Sequence, residues 1–389
     1  MPYVKSGLDL LLEKHLRRFA KMRLGILCHQ ASVDSRLRHA IDLLKARDVQ
    51  LTALFAPEHG FWGMAQDQIA ISGAKHPVYG VPVFSLYGER RGPQRQSLLN
   101  IDAMICDLQD AGSRYYTFVW TMALAMQACA RYGKKFVVLD RPNPLGGVEM
   151  EGPLLDPRFA SFVGLYPVPV RHGLTIGELA LWLNGSLRIG ADLEVIRMSG
   201  WKRRMAFEET GLPWVMPSPN MPTVDTAFVY PGMCLIEGTN LSEGRGTTRP
   251  FEIIGAPFVN PDSLARLLNS EKIPGVTFRS CRFQPTFHKY RDEPCGGVQL
   301  HVRDRRIFKP FLTGLKVIAR IYDLYPRLFA WRNPPYEFEQ RKLPFDILCG
   351  TDRIRRTIKL GGRLGDLERG WQKGLAAFAK ERKQYLLYD

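Results

Sequence analysis

The stretch Val49-Gln50-Leu51-Thr52-Ala53-Leu54-Phe55-Ala56-Pro57-Glu58-His59-Gly60-Phe61 sets the fold class. Its first seven residues are a short apolar run, bounded by Asp48 and Pro57, of the kind that makes a buried β-strand. A carboxylate and an imidazole, Glu58 and His59, stand side by side where that strand ends. In an open α/β sheet, ligands bind in the crevice beyond the carboxyl ends of the strands. Pro57 stiffens the approach and Gly60 lets the backbone turn sharply afterwards. The competing reading is a surface loop whose acid and histidine are simply solvated.

Working outward, strand and helix patterns alternate through the first half. Strands are expected at 23–28, 81–86, 103–108, 135–139 and 193–198. Helices are expected after Leu37, with Ile41 and Leu44 on one stripe, and at 117–131 and 175–184. Thr175 and Glu178 are spaced as a capping box, which explains Glu178 without a catalytic role. The alternation predicts an α/β fold: a Rossmann-like, doubly wound parallel sheet. The first strand is followed by His29-Gln30-Ala31-Ser32-Val33-Asp34, not by G-x-G-x-x-G. The glycine cradle for a dinucleotide is missing, which argues against a nicotinamide-dependent dehydrogenase.

A chain of 389 residues points to two domains. The texture changes between Gly200 and Trp214, and a proline- and glycine-rich stretch runs from Pro213 to Pro257. Beyond it, strands at 276–283 and 298–302 and helices at 261–269, 311–325 and 366–385 suggest a smaller α+β unit. The expected division is 1–205 and 206–389.

The formal charge of +16 attracts anions, but the basic residues are dispersed. The densest clusters, Arg90-Arg91, Lys202-Arg203-Arg204 and Arg303-Asp304-Arg305-Arg306, are short, and no nucleic-acid motif accompanies them. No nucleic-acid partner is expected; an anionic small substrate or polymer fits the charge equally well. Seven cysteines without a C-x-x-C pair indicate free thiols in a reducing compartment and no metal site. No apolar run reaches bilayer length, so no membrane partner is expected. The early apolar pieces are broken by Asp9, Glu13, Lys14, Arg17 and Arg18, which argues against a signal peptide. A cytoplasmic location is the expectation.

Three further groups of polar residues carry candidate chemistry. Asp110-Ala111-Gly112-Ser113-Arg114-Tyr115-Tyr116-Thr117 and Leu139-Asp140-Arg141-Pro142-Asn143-Pro144 both follow expected strands, so the sheet would gather them beside Glu58. Arg114 and Tyr116 suit anion recognition and sugar stacking, and Asn143 stands between two prolines. Asp140 and Arg141 read equally as a loop-locking ion pair. Pro217-Ser218-Pro219-Asn220-Met221-Pro222 holds Asn220 on a stiffened loop. The run from Tyr230 to Glu252 is rich in glycine and charge; it contains Glu237, Asn240, Glu243, Arg245 and Arg249. His172 reads as a turn residue or a ligand group, and Glu89 as a solvated charge.

Together with Ala56-Pro57-Glu58-His59-Gly60 and Glu237-Gly238-Thr239-Asn240-Leu241-Ser242-Glu243-Gly244-Arg245-Gly246-Thr247-Thr248, these motifs closely resemble the exo-acting β-N-acetylmuramidases of the NamZ type. The resemblance runs from about residue 7 to the C-terminus. It implies an active site between the two domains and removal of single N-acetylmuramic acid units from the non-reducing ends of peptidoglycan fragments, without metal or cofactor. It implies Glu58 as the catalytic glutamate; from the motifs themselves, His59 is the catalytic candidate beside it, and Arg114, Tyr116, Asp140, Asn143, Asn220, Glu237, Asn240, Glu243, Arg245 and Arg249 are the substrate-binding candidates. Members of the family are commonly secreted, which sets the expected cytoplasmic location apart.

The chemistry is compatible. Glycosidic cleavage needs a proton donor at the leaving oxygen and a stabiliser for an oxocarbenium-like centre. A carboxyl group in a partly apolar cleft, near Phe61 and Trp62, favours its protonated form. The second group is open: the substrate's own 2-acetamido group, Glu237, Glu243 or Asp110. A non-catalytic muropeptide- or sugar-binding protein on the same fold is the alternative function.

Overall fold

The computed structural model describes residues 4–64, 74–88 and 91–389. Six strands open the chain: β1 (Leu24–Cys28), β2 (Leu51–Ala56), β3 (Ala74–Lys75), β4 (Pro82–Ser85), β5 (Ala103–Asp107) and β6 (Lys135–Leu139). A small antiparallel pair follows, β7 (Glu151–Leu154) with β8 (Pro169–Arg171), before β9 (Leu193–Ile196) rejoins the large sheet. The second half contributes β10 (Ile253–Ala256), β11 (Val276–Phe283) and β12 (Cys295–Val302), an antiparallel sheet in the order β10-β12-β11.

The large sheet has the order β3-β4-β2-β1-β5-β6-β9, parallel throughout except where β3 pairs with β4 at the edge. Counted along the chain, its six parallel strands lie 3-2-1-4-5-6, the doubly wound order of dinucleotide folds. The Rossmann-like α/β expectation holds, and the smaller second unit carries the small antiparallel sheet. Central strands β1 and β5 are buried along their whole length, as a parallel sheet covered on both faces requires. Side chains alternate between two cores: Leu27, Phe55, Cys106 and Val138 face one, Ile26, Leu54, Ile105 and Val137 the other. The first of these cores continues into the second half through Phe251, Ile254 and Phe311, so apolar packing joins the two units.

The large sheet ends at Ile196 and the small one begins at Ile253, so the boundary proposed near residue 205 falls in the connection. Most of this connection is irregular, but residues Val224–Met233 form a helix where the prolines and glycines predicted none. Thr223 caps it by accepting from Thr226 N, and Pro231 sits in its last turn. Gly232 is the reason the sequence there looks unhelical. A Cβ on it would stand 1.9 Å from the Pro310 carbonyl oxygen, so glycine is what lets this helix meet the helix Pro310–Leu324.

Buried polar links cross between the halves. Arg114 donates from Nη1 to the carbonyls of Pro153 and Val168 and from Nη2 to that of Leu348. Glu151 accepts from the backbone N–H groups of Phe311 (3.1 Å) and Leu312 (2.8 Å), an anion at a helix N-terminus. The C-terminal tail folds back onto the first half: Leu387 N donates to Glu178 Oε1 and Tyr388 OH to Asp140 Oδ2.

Burial pushes the Glu151 carboxyl up to about 7, against the lowering effect of its two backbone donors. A folded-state value raised above the ordinary 4.5 means that its stabilisation is complete below that value and is lost as pH rises through 7. Measured against wild type, Glu151→Gln is therefore most destabilising near pH 5. Its deficit shrinks by up to roughly 3 kcal/mol by pH 8.5. Urea unfolding of both proteins across that range checks this; a constant difference would show that Glu151 keeps one charge state in folded and unfolded chains.

Candidate active site

β2 ends at Ala56, and the turn that follows places Glu58 and His59 under the second half of the chain. His59 adopts φ 70° and Gly60 φ 76°, so the turn forces a bulky residue into the left-handed region. Such strain persists where surrounding structure over-determines it, most often at functional sites. Both side chains are buried, Glu58 to 5% and His59 to 8% exposure. Thr117, directly before the helix Phe118–Arg131, donates its hydroxyl to Glu58 Oε2 at 2.6 Å. Two strand ends, those of β2 and β5, thus supply one carboxyl group and its clamp.

Glu58 and His59 line a small cavity of about 40 Å³, walled by residues of both halves. Tyr116, Asn220, Glu237 and Arg245 line it, as the sequence suggested. Its apolar lining comes from Val163, Met221 and Phe251, not from the expected Phe61 and Trp62; Phe61 packs instead against His39 and His76. Burial raises the Tyr116 phenol well above its ordinary value, so it stays a neutral donor near Glu58. Rings continue the wall: Tyr116 meets Tyr230 edge-on at 6.0 Å, and Tyr230 meets Phe251 at 4.9 Å.

Arg245 is fixed by acids. Its Nη2 donates to Glu237 Oε1 at 2.8 Å, its Nε lies 3.4 Å from Glu243 Oε1, and its guanidinium covers the Phe251 ring at 5.1 Å. Glu237 also accepts from Tyr336 OH at 2.7 Å. Behind them Glu243 is completely buried, with Lys289 Nζ at 2.9 Å and His288 Nδ1 at 3.1 Å. Burial pushes the Glu243 carboxyl up, but Lys289, His288 and Arg245 together hold it well below the usual carboxylate range.

Several candidates lie elsewhere and do structural work. Arg114, fully buried, spends its guanidinium on backbone carbonyls, and burial lowers it to about 10. Asp140 accepts from Thr175 Oγ1, Gly177 N and Tyr388 OH, locking a helix start and the chain's tail. Its Oδ1 also accepts from the Arg141 backbone N at 3.0 Å, but the Arg141 guanidinium forms its ion pair with Asp107, at 2.6 and 2.8 Å. Asn143 ties Leu174 O to Leu145 N, and Asn240 ties Leu328 O to Ala330 N. Arg249 is half exposed and meets Glu252 at 3.3 Å. Glu243 acts from behind the cavity wall rather than within it, and Asp110 closes its own turn onto Gly112 N. His172 is the turn residue, its Nδ1 accepting from Leu174 N, and Glu178 forms the expected capping box. Glu89 and Arg90 lie outside the described residues.

The cavity also contains residues that the sequence did not single out: Thr117, Tyr230, Tyr336 and Glu337. Thr117 and Tyr230 stood within motifs already marked, where their hydroxyls were the available signal. Tyr336 and Glu337 come from Pro334-Pro335-Tyr336-Glu337-Phe338, a segment between helices whose only signal is its aromatic and proline content. Among the described residues, no three His, Cys, Asp or Glu side chains converge to hold a metal ion, and no helix is long and apolar enough to cross a membrane.

An α/β sheet joined to a smaller unit thus carries a carboxylate- and tyrosine-lined cavity between them, the architecture of a two-unit enzyme with its cavity in the cleft. Residues 24–225 match the family model described as exo-β-N-acetylmuramidase NamZ, N-terminal, and residues 228–388 its C-terminal counterpart. The chain is 48% identical over 388 residues to the peptidoglycan β-N-acetylmuramidase NamZ of Bacillus subtilis, covering 100% of this chain and 92% of that one. Two crystal structures of DUF1343 family proteins from Bacteroides fragilis share the fold. One has 34% identity and a TM-score of 0.90 over 99% of both chains; the other has 31% and 0.78 over 100% of this chain and 99% of that one. The chain belongs to the exo-β-N-acetylmuramidase NamZ family and is a glycoside hydrolase.

Glu243 provides a test of how the cavity wall is held. Glu243→Gln keeps the shape but leaves Lys289 and Arg245 without their shared buried counter-charge, a loss of roughly 3 kcal/mol or more. Thermal unfolding should show it as a clear drop in Tm. A variant as stable as wild type would mean that the cluster does not hold Arg245 in place.

Proposed function

We propose that this enzyme releases single N-acetylmuramic acid units from the non-reducing ends of peptidoglycan fragments, with Glu58 as general acid. The observation that carries the reading is Glu58 itself: a buried carboxyl group, oriented by the Thr117 hydroxyl, facing a cavity walled by both halves of the chain. Glu58 gives its proton to the glycosidic oxygen as the bond from that oxygen to C1 breaks. Water then adds at C1 and its proton returns to the enzyme. The cationic centre is stabilised by the substrate's 2-acetamido group or by a second cavity carboxylate, Glu237. His59, adjoining Glu58 in the strained turn, shapes the donor side. The peptidoglycan muramidase named among its relatives supports this over a non-catalytic binding protein.

Of the candidate arginines Arg114, Arg245 and Arg249, Arg245 is the one that lines the cavity, and we assign to it the contact with the lactyl carboxylate of N-acetylmuramic acid. Seven unpaired cysteines, six of them buried, suit a reducing compartment, so we place the work inside the cell, on short wall fragments. Finding the native protein outside the membrane would refute that placement.

A chromogenic β-N-acetylmuraminide, run beside the matching β-N-acetylglucosaminide, tests the reaction; cleavage of neither sinks it. Glu58→Gln should lower kcat by roughly 10²–10⁴ on an unactivated substrate while circular dichroism stays unchanged. Turnover close to wild type would exclude Glu58 as the acid. Arg245→Ala should erode the preference for the muraminide, and a fully retained preference would move carboxylate recognition to another group. EDTA should leave all these rates as they are; a loss restored by a divalent ion would overturn the metal-free mechanism.

A further inference from the structure

The segment 331–343 leaves the second half and crosses the cleft to the first. Its base is tied by Arg332 N donating to Gly238 O at 2.9 Å and by a bridge between Trp331 and Thr239. Its tip is a tight turn in which Tyr336 and Glu339 exchange backbone hydrogen bonds of 2.9 and 2.8 Å. Glu337 and Phe338, at φ 47° and 65°, both occupy the left-handed region. Two consecutive residues with β-carbons in that region are strained, so the turn needs contacts that outweigh the strain.

Those contacts come from both halves. On one side Tyr336 OH holds Glu237 at 2.7 Å. On the other, Tyr87 OH, which also lies against the Glu58 carboxylate, donates to Glu337 Oε2 at 3.1 Å. The Arg91 guanidinium is sandwiched between two rings, 4.6 Å from the centroid of Phe338 and 5.1 Å from that of Phe162. Tyr87 packs against the same two rings at 5.6 and 5.8 Å. The tip is thus clasped to the first half by one hydrogen bond and an aromatic–cation stack, while Tyr336 and Glu337 form part of the cavity wall.

We propose that this strap, clasped by Arg91 and Phe338, is the specificity element that makes the site accept a chain end. Two halves meeting along a cleft make a groove, through which a polymer runs past the cleaved bond. Tyr336 and Glu337 bring the strap into the cavity wall, and the side they close is assigned to the sugar that would precede the cleaved unit. The inference rests on the muramidase reading and adds the residues that enforce its exo mode. Arg91 and Phe338 lie outside the cavity lining, so removing them loosens the strap without touching the groups assigned to chemistry.

The test uses purified Arg91→Ala and Phe338→Ala enzymes and two substrates. One is a short saccharide ending in N-acetylmuramic acid at its non-reducing end; the other is the same saccharide capped there by one further N-acetylglucosamine. Wild type should cleave the first and refuse the second. Each variant should keep cleaving the first and raise the capped-to-uncapped rate ratio by about tenfold or more. An unchanged ratio in both variants overturns the strap as the exo determinant. Proportional loss on both substrates also overturns it, because the strap would then be needed to assemble the cavity. A wild type inert on both would instead sink the muramidase reading.

Discussion

Arg114 is a fully buried guanidinium met by carbonyl dipoles instead of a carboxylate, and the architecture of the site depends on it. Removing such a charge from water costs several kcal/mol, which the three charge-assisted hydrogen bonds must offset. They run to Pro153 on β7, to Val168 just before β8, and to Leu348 in the second half. A flexible lysine could not hold three carbonyls in that geometry; the planar fork can. With Glu151 capping the helix Pro310–Leu324, it fixes the spacing of the two halves. That spacing is what allows residues from both to face one cavity.

The same constraint explains how a sheet of dinucleotide order serves a different chemistry. In such sheets the crevice at the strand-order reversal, here between β1 and β5, normally receives the ligand. This chain fills it with its own polar groups. Gln109 N donates to His29 Nε2, Ser32 Oγ donates to Asp107 O, and Arg141 bridges Asp107 and Val33 O. Burial, with the nearby Arg141 charge, depresses the His29 imidazole well below its ordinary value, so it is neutral and can accept. The catalytic cavity is displaced to the turn after β2 and the start of the helix after β5. Fold and site are separable here, as they are in many doubly wound proteins.

What the sequence made legible follows from what residue types can reveal. The buried run before Glu58, the capping box at Thr175, and the stiff segment around Asn220 are local signals, and they placed the strand end, the helix start and part of the cavity wall. Side-chain partners are not local. Arg114, Asp140 and Asn143 stand in motifs beside site residues, yet their partners lie dozens to hundreds of positions away, at Leu348, Tyr388 and Leu174. A hydrogen-bonding group next to a functional one holds the loop as often as it touches the ligand. Glu337 shows the converse: it carries no periodic or spacing signal, and only the crossing of the strap brings it to Tyr87, 250 positions away.

Charge operates on two scales in this enzyme. The chain as a whole carries +16, which draws anionic wall fragments towards it at long range. Within the cavity the described lining reverses the sign, with Glu237 and Glu337 against Arg245 and Glu58 carrying the proton it donates. A fixed negative field of that kind stabilises positive charge developing at a sugar ring, and does so without reorganising during the reaction. It would also repel a substrate carboxylate everywhere except beside Arg245. Glu237 and Glu243 hold that guanidinium at one place on the wall, so the positive charge of the lining has a fixed position relative to the cavity's acids.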